Sequence, residues 1–146
     1  MTNQDKIAWL RRYREAAAEQ DRLMAEIARW RSLAEWVSPS LSGMPAGSGG
    51  PGRMIAAVEC LDELEAELAE QIVERVTIRR EIGQAIDRLP DERLARLLRL
   101  RYIDGMTWEQ IAVKMNYDYR WTLRLHGRAL TRLTIESHIK SMITLN

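Results

Sequence analysis

The chain has 146 residues, room for one compact domain or for a small domain carrying an extended helical arm. Its formal net charge of +1 excludes any argument about partners from total charge, but the charge is unevenly spread: residues 1–88 hold 12 Lys and Arg against 15 Asp and Glu, and residues 89–146 hold 10 against 6. An acidic first part and a basic last part imply two tasks, with any polyanion meeting the second.

Cys60 is the single cysteine, which excludes an internal disulfide, and His126 and His138 stand far apart without cysteine partners, so no zinc-ligand spacing exists. The opening residues MTNQDKIAWLRRYREAAAEQ lack the apolar stretch of a signal peptide. No run approaches the ~20 apolar residues that cross a bilayer. A cytoplasmic protein with no membrane partner and no cofactor is expected.

The first element in chain order covers residues 4–37. Trp9, Tyr13, Ala16, Gln20, Leu23, Ile27, Trp30, Ala34 and Val37 alternate spacings of four and three, a heptad seam with one polar position. Charged residues fill the other positions, and no Gly or Pro intervenes. One long helix of roughly 45–50 Å is predicted. SPSLSGMPAGSGGPGR, residues 38–53, ends it with three prolines and several glycines and reads as a connector. Its GSGGPG is not a phosphate loop, because no Lys-Ser/Thr ending and no preceding strand accompany it.

From Met54 to Arg88 a second helix is predicted. Ile55, Val58, Leu61, Leu64, Leu68, Ile72, Val76, Ile82, Ile86 and Leu89 follow a three-four spacing, with DELEAELAEQ as an acidic outer face and Gly83 as a weak point. Two long amphipathic helices joined by such a connector are expected to fold back as an antiparallel hairpin. A two-helix hairpin buries little. The leftover apolar surface favours self-association or docking on a partner over seams that only cover each other.

Pro90 breaks the pattern, and LPDERLARLLRLRYIDG restarts a helix. Pro90 suits a first turn, and Asp91 and Glu92 suit its positive end. Leu94, Leu97, Leu98 and Ile103 line one side, and Gly105 stops it. Thr107 with Gln110 forms a capping-box pattern for a short helix whose apolar face is Trp108, Ile111, Ala112 and Met115. Asn116 can take the left-handed conformation of a tight turn, and Asp118 can cap the next helix. Thr122, Leu125, Ala129 and Leu133 then give that basic helix its inward face.

A short helix, a three-residue turn and a longer basic helix make helix-turn-helix geometry, whose second helix enters the major groove of DNA. Tyr119, Arg120, Leu123, Arg124 and Arg128 fall away from the inward face by helical spacing. Arginine can bond guanine bidentately or neutralise phosphate. The plain alternative is a small bundle with a solvated basic face. Trp121 could wedge against the preceding helix or rest on the sugar-phosphate backbone. Gly127, odd inside a helix, could mark close approach to a neighbouring helix or to the DNA backbone.

The stretch from Leu89 to Leu133, with its leading LP, the LRYIDGMTWEQIA block and the closing RALTRL, resembles region four of bacterial sigma factors, which reads the minus-35 promoter element. With the hairpin, the connector and RLHGRAL, the whole chain resembles small sigma-region-four-like phage and prophage proteins of Gram-positive bacteria. In architecture these are akin to late-gene regulators of the ArpU and RinA types. The resemblance implies an all-α fold, a docking mode in the major groove, and a phosphate against Thr107. It does not carry over base specificity. The family's Arg-Glu pair and following Gln fall on Tyr119, Arg120 and Arg124, and two further family arginines fall on Trp121 and Leu123. The usual minus-35 hexamer is therefore not the expected target. No counterpart of the sigma region that melts DNA is present, which implies a regulator.

The expected architecture is a helical hairpin over residues 1–88 with its connector at 38–53, a three-helix module over residues 89–133, and a tail over residues 134–146 apolar enough for a short helix. Double-stranded DNA is the expected partner, with a second copy of the chain through the hairpin and RNA polymerase as further candidates. No nucleophile-base pair or metal cluster points to an enzyme. Two alternatives stand. One is a phage packaging component similar to a small terminase subunit, although those usually place the DNA-binding unit first. The other is an adaptor that grips polymerase without reading DNA.

Overall fold

A computed structural model of the chain describes residues 1–37 and 50–135. The described residues are all-helical: α1 (Asn3–Val37), α2 (Gly50–Asp87), α3 (Glu92–Leu98), a π-helical turn (Arg99–Ile103), α4 (Trp108–Met115) and α5 (Tyr119–Arg132). None of these helices is long and apolar enough to cross a membrane. α2 opens at Gly50, inside the stretch expected to be connector; residues 38–49 of that stretch, the side chain of the seam position Val37, and tail residues 136–146 lie outside the described residues. The chain divides into two compact units, Met1–Glu15 with Arg75–Asn146, and Ala16–Glu74.

In the second unit the α1 seam is covered as its spacing predicts: Leu23 and Ile27 are buried, Ala16, Gln20, Trp30 and Ala34 half-buried, with Ala17 buried beside them. Arg31 reaches Glu65 of α2 at 2.7 Å. In α2 the register differs from expectation. The covered positions are Ala57, Leu61, Leu64, Leu68 and Gln71, continuing in the first unit through Arg75, Ile78 and Ile82, a four-three alternation. Ile55, Val58 and Ile72, counted in the seam, are 59%, 46% and 44% exposed, as is Val76 at 49%. The true stripe admits two polar positions. Gln71 Oε1 is buried with no hydrogen-bond partner among the described residues, a loss of roughly 1–3 kcal/mol that an apolar residue would avoid.

The first unit holds the main core. Trp9, Leu10 and Tyr13 of α1 and Ile78, Ile82, Ala85 and Ile86 of α2 are buried in it. Arg12 bridges to Glu81 at 2.8 Å, and Arg75 lies over the Tyr13 ring at 5.2 Å while donating to its hydroxyl. Asp91 caps α3 by accepting the Arg93 amide, which places Pro90 one residue before the cap and not in the first turn. Arg99 spans Asp87 and Glu92 at 2.9 and 3.0 Å. α3 packs on α5, and α4 packs on both α5 and the π turn. Lys6 Nζ donates to the Leu130 carbonyl at 2.7 Å, a cation at the negative end of α5. Beyond α5 the chain is extended at Leu133, and Ile135 is buried, so the first residues of the expected tail helix are not helical.

Gly105 closes the π turn with φ +72°, and the Arg14 guanidinium occupies the space where a Cβ would stand. Gly105→Ala is therefore expected to destabilise the fold by about 1–3 kcal/mol, the usual cost of a left-handed non-glycine residue, measured by denaturant unfolding. An unchanged midpoint would show that Arg14 and the turn relax together.

Candidate nucleic-acid interface

Local chemistry sets the start of α4. The Thr107 hydroxyl accepts the Gln110 amide at 3.2 Å, and Gln110 Oε1 accepts the Thr107 amide at 3.0 Å, the reciprocal capping box. The hydroxyl proton of Thr107 is donated to nothing among the described residues. Ile111, Ala112 and Met115 are buried, and Trp108 half-buried. Asn116 ends the helix at φ 59°, ψ 46°, the left-handed cap its residue type favours. Asp118 takes the N-cap position of α5, but its carboxylate makes no cap bond, contrary to expectation. Its backbone carbonyl instead accepts from the Thr122 amide and hydroxyl at 2.9 and 3.0 Å.

α5 is amphipathic in the expected sense. Thr122, Leu125, Ala129 and Leu130 are buried, and Leu133 follows them inward. The opposite side presents Tyr119 and Leu123, 43% and 38% exposed, with Arg120, Arg124 and Arg128 exposed. The helix has four arginines and no Asp or Glu. Five of the seven candidate residues thus share one exposed face. Trp121 stands at its flank, half-buried, with the Arg128 guanidinium 5.0 Å above its ring. Stacking restricts that arginine without neutralising it. Thr107 belongs to the other helix, engaged in its own cap.

Behind this face lies a cluster that periodicity does not reveal. Tyr102 of the π turn and His126 Nε2 of α5 share a hydrogen bond of 2.7 Å, Trp108 meets the His126 ring at a tilt with centroids 4.4 Å apart, and Arg101 lies over the Trp108 ring at 4.7 Å. Arg101 also donates to the Met106 carbonyl. Burial, reinforced by the positive charges of Arg101 and Arg11, pushes the His126 pKa down to about 4, and burial pushes the Tyr102 hydroxyl up. The ring is therefore neutral at physiological pH.

Because the folded pKa of His126 lies below its unfolded value, the unfolded state takes up the proton first, and stability falls as pH drops from about 6.5 towards 4. The expected result is a lower unfolding midpoint between about pH 6.5 and 5, above the carboxylate range, with a flatter profile for His126→Phe. Parallel profiles for parent and variant would remove His126 as the cause.

Among the described residues Gly127 does not mark a close helix-helix contact: a Cβ there would meet nothing within 4 Å. It opens on a hollow lined by Asn3, Arg124, Arg128, Thr131 and Arg132. Against alanine it costs the helix about 1 kcal/mol. Arg132 and Asn3 were not among the candidate residues; the four-residue spacing of Arg124, Arg128 and Arg132 is the signal that could have found the first. Asn3 comes from the far end of the sequence and leaves no local signal.

Residues 54–133, which run through most of α2 to the end of α5, match the family model described as "Protein of unknown function (DUF1492)". The chain belongs to the DUF1492 family. The match covers 80 of its 146 residues, including every candidate residue. No curated protein and no solved structure matches the chain significantly. The DUF1492 segment takes in the capping box, the Asn116 turn and the arginine face, and leaves α1 outside it.

Proposed function

We propose that the chain is a DNA-binding transcriptional regulator of phage or prophage genes. α4, the turn at Asn116 and α5 act as a helix-turn-helix similar to sigma region four, with α5 in the major groove. The observation that carries the reading is the face of α5: Tyr119, Arg120, Leu123, Arg124 and Arg128 are exposed together on a helix without a single carboxylate, while its other side is buried. A merely solvated helix face usually mixes both signs of charge. Arg120 and Arg124 suit guanine edges, and Tyr119 and Leu123 suit thymine methyls.

In this reading residues 1–88 form an antiparallel hairpin that pairs with a second copy of the chain, and residues 89–133 form the DNA-binding module. The apolar residues left outside the α2 stripe, Ile55, Val58, Ile72 and Val73, support self-association. The protein works in the cytoplasm, without catalysis, and a contact with RNA polymerase would serve the same role.

Selection from a random duplex library at about 150 mM salt, with the purified full-length protein, tests the reading. An enriched motif is expected, and a two-fold motif if the hairpin dimerises. A folded protein that enriches nothing sinks specific recognition and leaves the polymerase adaptor. A ring-shaped oligomer would return weight to a packaging component.

A further inference from the structure

Gly127 is a glycine without an internal reason. It lies in the middle of α5, its φ is not in the left-handed region, and a Cβ at its position would meet nothing within 4 Å among the described residues outside its own helix backbone. Glycine weakens the helix there and relieves no crowding among the described residues. What an absent side chain does provide is exposed backbone, at the floor of the hollow between Arg124, Arg128, Thr131 and Arg132. The three arginines recur every fourth residue, so successive ones stand about 6 Å apart along the helix axis. That is close to the separation of neighbouring phosphates on one strand. None of the three pairs with a carboxylate among the described residues. Arg128 is steadied over Trp121. Asn3, which also lines the hollow, adds an amide that can donate to a phosphate oxygen. Thr131 turns its hydroxyl back to the Gly127 carbonyl at 3.0 Å, which keeps that side chain off the floor.

We infer that Gly127, Arg128 and Arg132, beyond the base-facing Arg124, form a cradle for the sugar-phosphate backbone of duplex DNA. The backbone approaches the α5 main chain where Gly127 has no side chain. The inference rests on the DNA-binding reading and divides α5 by function. Its first turns, with Tyr119, Arg120 and Leu123, face bases, and its later turns grip one strand irrespective of sequence. Arg132 and Asn3 thereby join the binding surface.

The test pairs stability with binding, because the two roles of a helical glycine move them differently. Gly127→Ala and Gly127→Leu are each expected to raise the unfolding midpoint by a few degrees, since both residues favour helix and an added Cβ meets nothing among the described residues outside the helix's own backbone. The same proteins are expected to bind duplex DNA more weakly, roughly tenfold for leucine, on specific and random sequences alike. Arg132→Ala should weaken both kinds of duplex and lower the slope of log K against log salt by about one, measured by titration between about 50 and 200 mM salt.

Glycine variants that gain stability and bind as tightly as the parent overturn the approach at Gly127. An unchanged salt slope for Arg132→Ala overturns the cradle while leaving DNA binding intact. A folded parent that binds no duplex at any salt sinks the DNA-binding reading itself, and the cradle with it.

Discussion

Leu125→Ala is expected to lower the free energy of unfolding by about 2–5 kcal/mol, whereas Leu123→Ala, two residues away on the same helix, changes it by roughly 0.5 kcal/mol or less. The contrast follows from position. Leu125 is 1% exposed, on the side of α5 that packs against α3 and α4; Leu123 is 38% exposed on the opposite side. Removing the buried chain leaves a cavity lined by groups that cannot all collapse inward. Removing the exposed one returns little surface to water. Their effects on DNA should reverse the order when both proteins are compared well below their melting temperatures. Leu123→Ala should lose affinity for a selected duplex, and Leu125→Ala should lose none beyond its unfolded fraction. Equal stability losses for the two variants would mean that α5 does not sit with Leu125 inward.

The second large effect concerns base recognition. Arg120→Ala and Arg124→Ala are each expected to weaken binding to the selected sequence by about 1–3 kcal/mol, the worth of a bidentate arginine-guanine contact. The loss should be concentrated on particular base pairs, so the selected motif should relax at one position per variant. Arg128→Ala should behave otherwise, weakening all sequences similarly and lowering the salt slope by about one. Both arginines at the reading end are exposed, and no ion pair holds either of them among the described residues, so neither substitution should disturb the fold. Unchanged affinity in Arg120→Ala and Arg124→Ala would remove both from the interface.

The features legible in the sequence are those that short-range chemistry decides. Thr107 and Gln110 satisfy each other's backbone amides within one turn, and Asn116 is one of the few side chains that tolerates the left-handed cap, so both features come from a few neighbouring letters. The inward set Thr122, Leu125, Ala129 is legible for the same reason, because α5 has one apolar side only. α2 is harder. It carries two apolar stripes, one through Leu61, Leu64 and Leu68 and one through Ile55, Val58, Ile72 and Val76, and periodicity does not say which is covered. The covered stripe even includes Gln71 and Arg75, the latter kept there by the Tyr13 ring and hydroxyl.

Asp118 has the residue type of a cap, but capping depends on a side-chain rotation that residue type alone does not fix. The cluster of Tyr102, Trp108 and His126 joins three separate segments, and no spacing rule links them. Most of the connector and most of the tail fall outside the described residues; where they are described, the connector's last residues from Gly50 are helical and the tail's first residues are not.

The π turn accommodates an extra residue between Leu98 and Gly105. The Asp104 amide reaches back five residues to the Arg99 carbonyl at 3.0 Å, so this turn encloses one residue more than an α-helical turn would. Leu100 and Tyr102 of the turn are both buried. The turn thus acts as a one-residue insertion absorbed without a loop. A relative shorter by one residue between Leu98 and Gly105 should run as plain α-helix there, and its equivalent of Tyr102 would swing about a quarter turn away from the position 126 ring. Such a chain should replace the histidine by a side chain that needs no hydroxyl partner, making a single deletion and a distant substitution travel together.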